Sequence, residues 1–428
     1  MRRRLCHYFL LFFAVTALVP VTAPASSTGA GRTYSGPLRI YGNETTKTYI
    51  IEREIPFSPG DPFDLARFNA ARRRINGLAG VDYVDMHAFF TGPDSSLAIT
   101  VFVTEKPAVE GKLRFERGYQ DKMSWGVTMV NSNFRGRNEK LRGSFLLRGN
   151  QVYEGSWENP WVGTRHRIGV GLKGYYHDYR YVYADAGPSL SDALIQRFGG
   201  ELVVFLSRGG PSRVFTTVGF ESVDGGVAGV TLEPGGDQYA TVSAGFVADS
   251  RDSARYPWRG AYLEAIAREI GPGQDAFNIF EGTVDARAFL PVLGRTVLAA
   301  HGRLAWRDGD RIPIYRRDHI GGAETLRGYD YGSFHGANSL VSGVEYRIPL
   351  NFSRSDPMEN LLLGLGLHLF ADAAAAWEKG ETLDGDLFHN GYGAGLSFLN
   401  RNMPGLRFDF GWHDGSDMHF EFAVGMKF

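Results

Sequence analysis

The sequence predicts a mostly β protein, a 16-stranded transmembrane antiparallel β-barrel preceded by a small α+β domain of β-α-α-β-β order. Three observations predict it. From residue 113 to residue 428, apolar and polar residues alternate in segments of about ten, as strands with one apolar and one polar face do. After residue 25, no apolar run reaches the ~18 residues of a membrane-spanning helix. A chain of this kind crosses a bilayer only as a closed barrel, which satisfies its own backbone hydrogen bonds. Finally, residues 37–106 carry helical spacing that the rest of the chain lacks.

Composition agrees. The 428 residues include 55 glycines and 13% aromatics, with a formal net charge of −1. That balance excludes the basic footprint of a nucleic-acid binder. The one cysteine is Cys6. It falls in residues 1–25, which read as a secretory signal peptide. Arg2, Arg3 and Arg4 form a basic start, Tyr8 to Val19 an apolar run, and Ala23-Pro24-Ala25 a cleavage site. A mature chain without cysteine has no disulfides and no thiolate metal site. Residues 26–36 read as a linker.

The first domain, 37–107, opens with a strand and turn, Leu38 to Asn43. Thr45 to Glu54 starts a helix, with Thr46 or Thr48 as the expected cap. Asp64 caps a second helix, in which Leu65, Phe68, Ala71, Arg72 and Ile75 recur at helical spacing and which Gly77 and Gly80 end. Residues 81–87 and 96–104 read as strands around the turn Gly92-Pro93-Asp94-Ser95.

The barrel is expected over 108–428. Its candidate strands are 113–119, 123–132, 139–149, 151–158, 165–177, 195–207, 213–223, 238–248, 259–270, 277–289, 295–306, 338–350, 361–372, 392–400, 405–413 and 417–428. Alternation is clearest near the end. Phe420, Phe422, Val424, Met426 and Phe428 fall on one face, and His419, Glu421, Ala423, Gly425 and Lys427 on the other. Leu406, Phe408, Phe410 and Trp412 likewise oppose Arg407, Asp409, Gly411 and His413. In a barrel the apolar face meets lipid and the charged face a wet lumen.

Two stretches break the alternation. Asp249-Ser250-Arg251-Asp252, followed by Pro257-Trp258-Arg259-Gly260, forms a long turn between strands. A connection over 307–338 carries Leu326-Arg327-Gly328-Tyr329 at its centre. Connections of that length are functional or disordered, and this one lacks the bland polar composition of a disordered linker.

These motifs resemble those of the BamA/TamA family, the barrel-assembly branch of the outer-membrane protein 85 superfamily. The resemblance implies that 37–107 is a periplasmic POTRA domain, which binds clients by strand addition to a sheet edge. It implies an inward-folded loop whose Arg327 pairs with acidic residues of the inner wall. The matching positions are Glu345 and Asp372, both on the inward faces of their strands. A guanidinium reaching two carboxylates makes forked bonds that lysine does not copy. Gly328 lets the backbone approach the wall. Leu326 and Tyr329 stand where the family commonly has Val and Phe. Asp249, Arg251, Asp252, Pro257, Arg259 and Gly260 match the family's turn before its ninth strand. Phe428, with Phe420 and Phe422, resembles the C-terminal barrel signal. A short first strand, with Arg117 on its lipid side, would pair weakly with the last and open sideways.

The implied function is outer-membrane protein assembly or translocation without cofactor or metal. Implied partners are the outer-membrane lipid bilayer, unfolded outer-membrane or secreted client proteins, and periplasmic chaperones or accessory subunits. Two alternatives stay open: a dedicated two-partner-type secretion pore for one client, and a passive porin-like channel. An enzyme is the further rival. Ser333, His335 and Asp330 lie close in sequence, yet a triad is a matter of geometry, and no G-x-S-x-G elbow or H-E-x-x-H spacing occurs.

Overall fold

A computed structural model describes residues 33–90, 96–117, 123–163, 167–181, 193–207, 212–274, 277–354, 363–400, 405–413 and 418–428. The expected leader and Cys6, the turn 92–95 and the side chain of Arg117 lie outside the described residues.

The first domain is a three-stranded sheet covered by two helices. Strand β1 (Thr33–Tyr41) is followed by helices α1 (Thr48–Glu52) and α2 (Leu65–Asn76), then β2 (Val81–Phe90) and β3 (Ser96–Glu105). Strand β3 is central, parallel to β1 and antiparallel to β2. Asp64 caps α2 by accepting the Ala66 N–H at 2.7 Å. Phe68, Ala71 and Ile75 bury one stripe of α2 against Ile99, Val101 and Val103. Leu65 is exposed at the first position of the helix although it shares the helical spacing. The expected threonine cap of α1 is corrected. Its N-cap is Lys47, with no side-chain hydrogen bond. Thr46 is buried instead, and its hydroxyl accepts from Asn133 of the barrel at 2.8 Å.

The second part is a 16-stranded antiparallel sheet rolled into a barrel. Its strands are β4 (Val109–Arg117), β5 (Met123–Phe134), β6 (Glu139–Arg148), β7 (Gln151–Val162), β8 (Ile168–Tyr181), β9 (Ala193–Ser207), β10 (Arg213–Asp224), β11 (Asp237–Asp249), β12 (Gly260–Ile270), β13 (Ile279–Pro291), β14 (Val297–Asp308), β17 (Asn338–Pro349), β18 (Gly364–Trp377), β19 (His389–Leu399), β20 (Leu406–Trp412) and β21 (His419–Val424). Between β14 and β17 the long loop forms its own hairpin, β15 (Asp318–Ile320) with β16 (Phe334–Gly336). The 16 strands fall where the alternation places them. The first begins at Val109, four residues earlier than expected.

Burial is inverted relative to a water-soluble core. Leu113, Trp125, Phe198, Leu202, Leu369 and Phe420 are exposed, while Glu221, Glu345, Asp372, Arg407 and Asp409 are buried. Such an apolar outer belt over a charged interior is the arrangement of a barrel in lipid. No described helix is long and apolar enough to cross a membrane.

One feature differs from expectation. The last strand stops at Val424, where Gly425 takes φ +100°. Residues 426–428 then turn into the lumen. Phe420 and Phe422 remain on the lipid face, but Phe428 is 3% exposed and packs with Tyr256, Trp258, Phe289 and Phe352. Phe428 would face lipid if the strand continued, whereas the inward turn seats its ring in that cluster and brings its carbonyl oxygen to Arg347 at 2.7 Å, with Lys427 reaching Asp372 at 2.7 Å. At the seam, where weak pairing was expected, β4 pairs with β5 and β21 with β20, and no ladder joins β4 to β21 among the described residues.

The two parts are clamped together. The carboxylate of Glu105 accepts the Thr45 and Thr46 N–H groups at 2.8 and 2.7 Å, shaping the segment before α1. The Lys47 N–H donates to Gly136 in the β5–β6 turn at 2.8 Å. Arg53 and Arg167 lie on the Trp161 ring at 4.5 and 4.7 Å, and Arg167 pairs with Glu54.

Candidate functional site

Arg327 belongs to a loop, yet its side chain is 0% exposed. Its Nε and Nη2 donate to the two carboxylate oxygens of Asp372 on β18 at 2.7 and 2.8 Å. Nη1 donates to Glu345 on β17 at 2.6 Å. Asp409 on β20 lies 3.8 Å from Nη1, and the guanidinium carbon sits 3.6 Å from the centroid of the Phe370 ring. A buried guanidinium alone carries a large desolvation penalty. Forked, charge-assisted bonds to carboxylates offset it.

The strands set this geometry. In the β17–β18 register Glu345 faces Phe370, and Gly343 faces Asp372. The two carboxylates are thus diagonal neighbours on the inward face. Each is shared with a second cation. Arg347 donates to Glu345 at 2.8 Å, Lys427 to Asp372 at 2.7 Å, and Arg407 to Asp409 at 2.7 Å. His368 contacts Asp409 at 2.6 Å. Opposite charges alternate among these groups, each of the carboxylates Glu345, Asp372 and Asp409 meeting more than one cation.

The loop backbone sits close against the wall. Gly328 has φ +92°, and a Cβ there would lie 2.9 Å from the Trp412 carbonyl oxygen. Its N–H donates to Glu421 on β21 at 3.2 Å. On the wall side, a Cβ at Gly391 would lie 1.9 Å from the Arg327 carbonyl oxygen. Leu326 is buried with Ile320, Val341 and Ala374. The Tyr329 ring stacks on His413 with centroids 4.0 Å apart. The hairpin stem is held by Arg307, which donates to Glu281, Asp318 and the Ala337 carbonyl oxygen at 2.8, 3.0 and 2.8 Å. Burial pushes the His319 imidazole on β15 down to about 4, with His335 adding to the effect, so it is neutral at pH 7.

The other sequence-selected residues lie elsewhere. Asp249 forms a fork with Arg251 at 2.9 and 2.8 Å, and Asp252 accepts the Trp258 and Arg259 N–H groups at 3.0 and 3.3 Å. Pro257 and Trp258 are buried, Trp258 in the cluster with Tyr256, Phe352 and Phe428, Arg259 is exposed, and Gly260 closes the turn with φ +107°. Ser333 donates to the Asp330 carbonyl oxygen at 2.7 Å, which does not form a serine–histidine pair with His335.

Sequence reasoning placed Arg407, Asp409, Glu421 and Lys427 on the inward face without assigning them to the cluster. It missed Arg347 and Gly391. The available signal was charge at inward positions of four of the last five strands, which is costly unless the charges meet.

Comparisons with known proteins follow this geometry. The Omp85 superfamily domain matches residues 133–428, and the POTRA domain, described as a surface antigen variable number repeat, matches residues 33–106. The outer membrane protein assembly factor BamA of Neisseria meningitidis is 24% identical over 454 residues, covering 92% of this chain and 54% of that protein. BamA of Nitratidesulfovibrio vulgaris is 24% identical over 321 residues, covering 70% of this chain and 38% of that protein. The chain thus spans about half or less of the curated relatives it matches. Among solved structures, BamA from Haemophilus ducreyi lacking POTRA domains 1–3 superposes with TM-score 0.66 at 16% identity, over 92% of this chain and 84% of that one. CdiB from Escherichia coli superposes with TM-score 0.63 at 15% identity, over 92% and 76%.

Proposed function

We propose that this chain, which belongs to the Omp85 superfamily, inserts client β-barrel proteins into the bacterial outer membrane or moves polypeptides across it. The barrel lies in the outer membrane and the POTRA domain in the periplasm. The reading places the POTRA domain at 37–107 and the barrel at 108–428.

The observation that carries the proposal is the pairing of a docked loop with an open seam. Arg327, Glu345 and Asp372 hold the loop inside the lumen, while β4 and β21 share no ladder among the described residues. Unpaired strand edges present backbone donors and acceptors to any extended polypeptide. A client strand arriving from the periplasm adds to such an edge, and its folding and lipid burial supply the driving force. The POTRA domain receives the client first. The contact from Gly328 to Glu421 ties the loop tip to the seam strand, so loop docking and seam geometry are coupled. Arg327→Ala leaves the carboxylates short of one cation and weakens this arrangement by about 3 kcal/mol.

The test is quantitative proteomics of outer membrane and medium after depletion, with wild-type and Arg327→Ala rescue. Loss of many barrel proteins supports general assembly. Loss of one secreted or surface protein supports a dedicated secretion pore. In either case wild-type restores the lost proteins and Arg327→Ala does not. An unchanged proteome contradicts the proposal.

A further inference from the structure

The loop stem carries a second cluster of buried polar groups that the Arg327 site does not use. Its centre is Glu221 on β10, which is buried. Glu221 accepts from Tyr175 on β8 at 2.5 Å, from Arg197 on β9 at 2.8 Å to each oxygen, and from the Tyr239 hydroxyl on β11. The loop supplies the remaining donor. Arg316 Nη2 reaches Glu221 at 2.9 Å and the Tyr239 hydroxyl at 2.8 Å. Beside it, Tyr315 donates to Asp237 on β11 at 2.8 Å.

These two loop residues occupy one 3-10 turn, Ile314–Arg316. The turn is short and sits ahead of the β15–β16 hairpin, so it fixes where the loop leaves the barrel rim. Tyr315 is buried against Ile195, Val223, Val230, Ile270 and Phe277, at the ends of strands opposite the POTRA domain. The stem therefore joins an apolar cluster at that end of the lumen, and Arg316 pins it to the wall.

The two anchoring sites are separate. Glu221 and its partners lie on β8–β11, whereas Arg327 meets β17, β18 and β20. They share no residue, and β12–β14 stand between them in the sheet. Buried charged hydrogen bonds are costly to leave half-made, so each site holds its own part of the loop.

We infer that Glu221 is a second socket for the loop, with Arg316 as its positioning residue, and that it keeps the outer end of the lumen sealed independently of the Arg327 socket. Release of the tip then leaves the stem seal in place. Glu221 keeps Arg197 when Arg316 is lost, so Arg316→Met does not orphan a buried carboxylate. Glu221→Gln retains an acceptor for both tyrosines.

Labelling kinetics test this on the full chain with Cys6→Ser and Val230→Cys, reconstituted in liposomes and treated with a membrane-impermeant maleimide. Val230 is 0% exposed beneath Tyr315. Arg316→Met and Glu221→Gln are expected to speed labelling on the order of tenfold, and Arg327→Ala to leave it unchanged. Folding of each variant is checked by heat-modifiable migration. Unchanged labelling in a folded Arg316→Met or Glu221→Gln barrel overturns the inference. So does equal acceleration by Arg327→Ala. The assay contains no client, so its outcome is independent of the transport reading.

Discussion

Arg327 shows how a single side chain organises its surroundings. Its fork requires carboxylates at two diagonal positions, and those positions were legible because the family resemblance singles out Glu345 and Asp372 and strand alternation puts both on the inward face. Gly391 was not legible, since its role arises only when β19 and the loop meet. There the missing Cβ is what admits the Arg327 backbone, which would stand 1.9 Å away from it. Gly391→Ala is therefore expected to expel the tip while the strand ladders persist. Limited trypsin digestion followed by mass spectrometry of the new N-termini checks this. The variant yields a fragment starting at Gly328 on the order of ten times faster than wild type, because a docked arginine is inaccessible and an expelled one is a cleavage site.

At the scale of elements, the strands were readable because lipid imposes a strict period of two. The ends of elements were not. The β21 terminus is decided by Phe428, whose ring meets Tyr256, Trp258, Phe289 and Phe352 and whose carbonyl oxygen accepts from Arg347 at 2.7 Å only inside the barrel. The start of α1 is decided by a contact with β3, not by a local cap. There, burial raises the Glu105 carboxyl, but hydrogen bonds from Thr46 and Thr45 outweigh it and hold the group below the ordinary glutamate range. A depressed carboxylate contributes stability above its unfolded value and loses it as pH falls through the lower, folded value. The Thr45 and Thr46 amides should thus lose hydrogen-exchange protection as pH falls from the ordinary glutamate value to below the folded one. Glu105→Gln should show weak protection at neutral pH and little further change on acidification. Equal protection in both proteins at neutral pH would count against the assigned role of Glu105.

At the scale of the whole molecule, a closed count of 16 strands coexists with a sheet whose first and last members share no ladder among the described residues. The count was legible in the sequence. The open seam was expected only from the family resemblance and a rough register, since pairing between β4 and β21 is non-local. Around that seam the molecule concentrates its buried charge. Glu421 and Lys427 tie the β21 side to the loop tip, to Asp372 and so to the Arg327 socket. The POTRA domain leads straight into β4, with Glu105 ending β3 and Val109 opening the first barrel strand. On the proposed route, a client handed from that domain would meet the edge of β4 first.

Leu113 on β4 faces lipid and is 54% exposed, beside that edge, whereas Leu263 on β12 is 37% exposed on a fully paired strand. A photo-crosslinking residue placed at each position in living cells tests the central claim most directly. Captured outer-membrane or secreted polypeptides at Leu113, with none at Leu263, are the predicted result. Capture of lipid alone at Leu113, or the same polypeptides at both positions, would contradict a seam that receives clients.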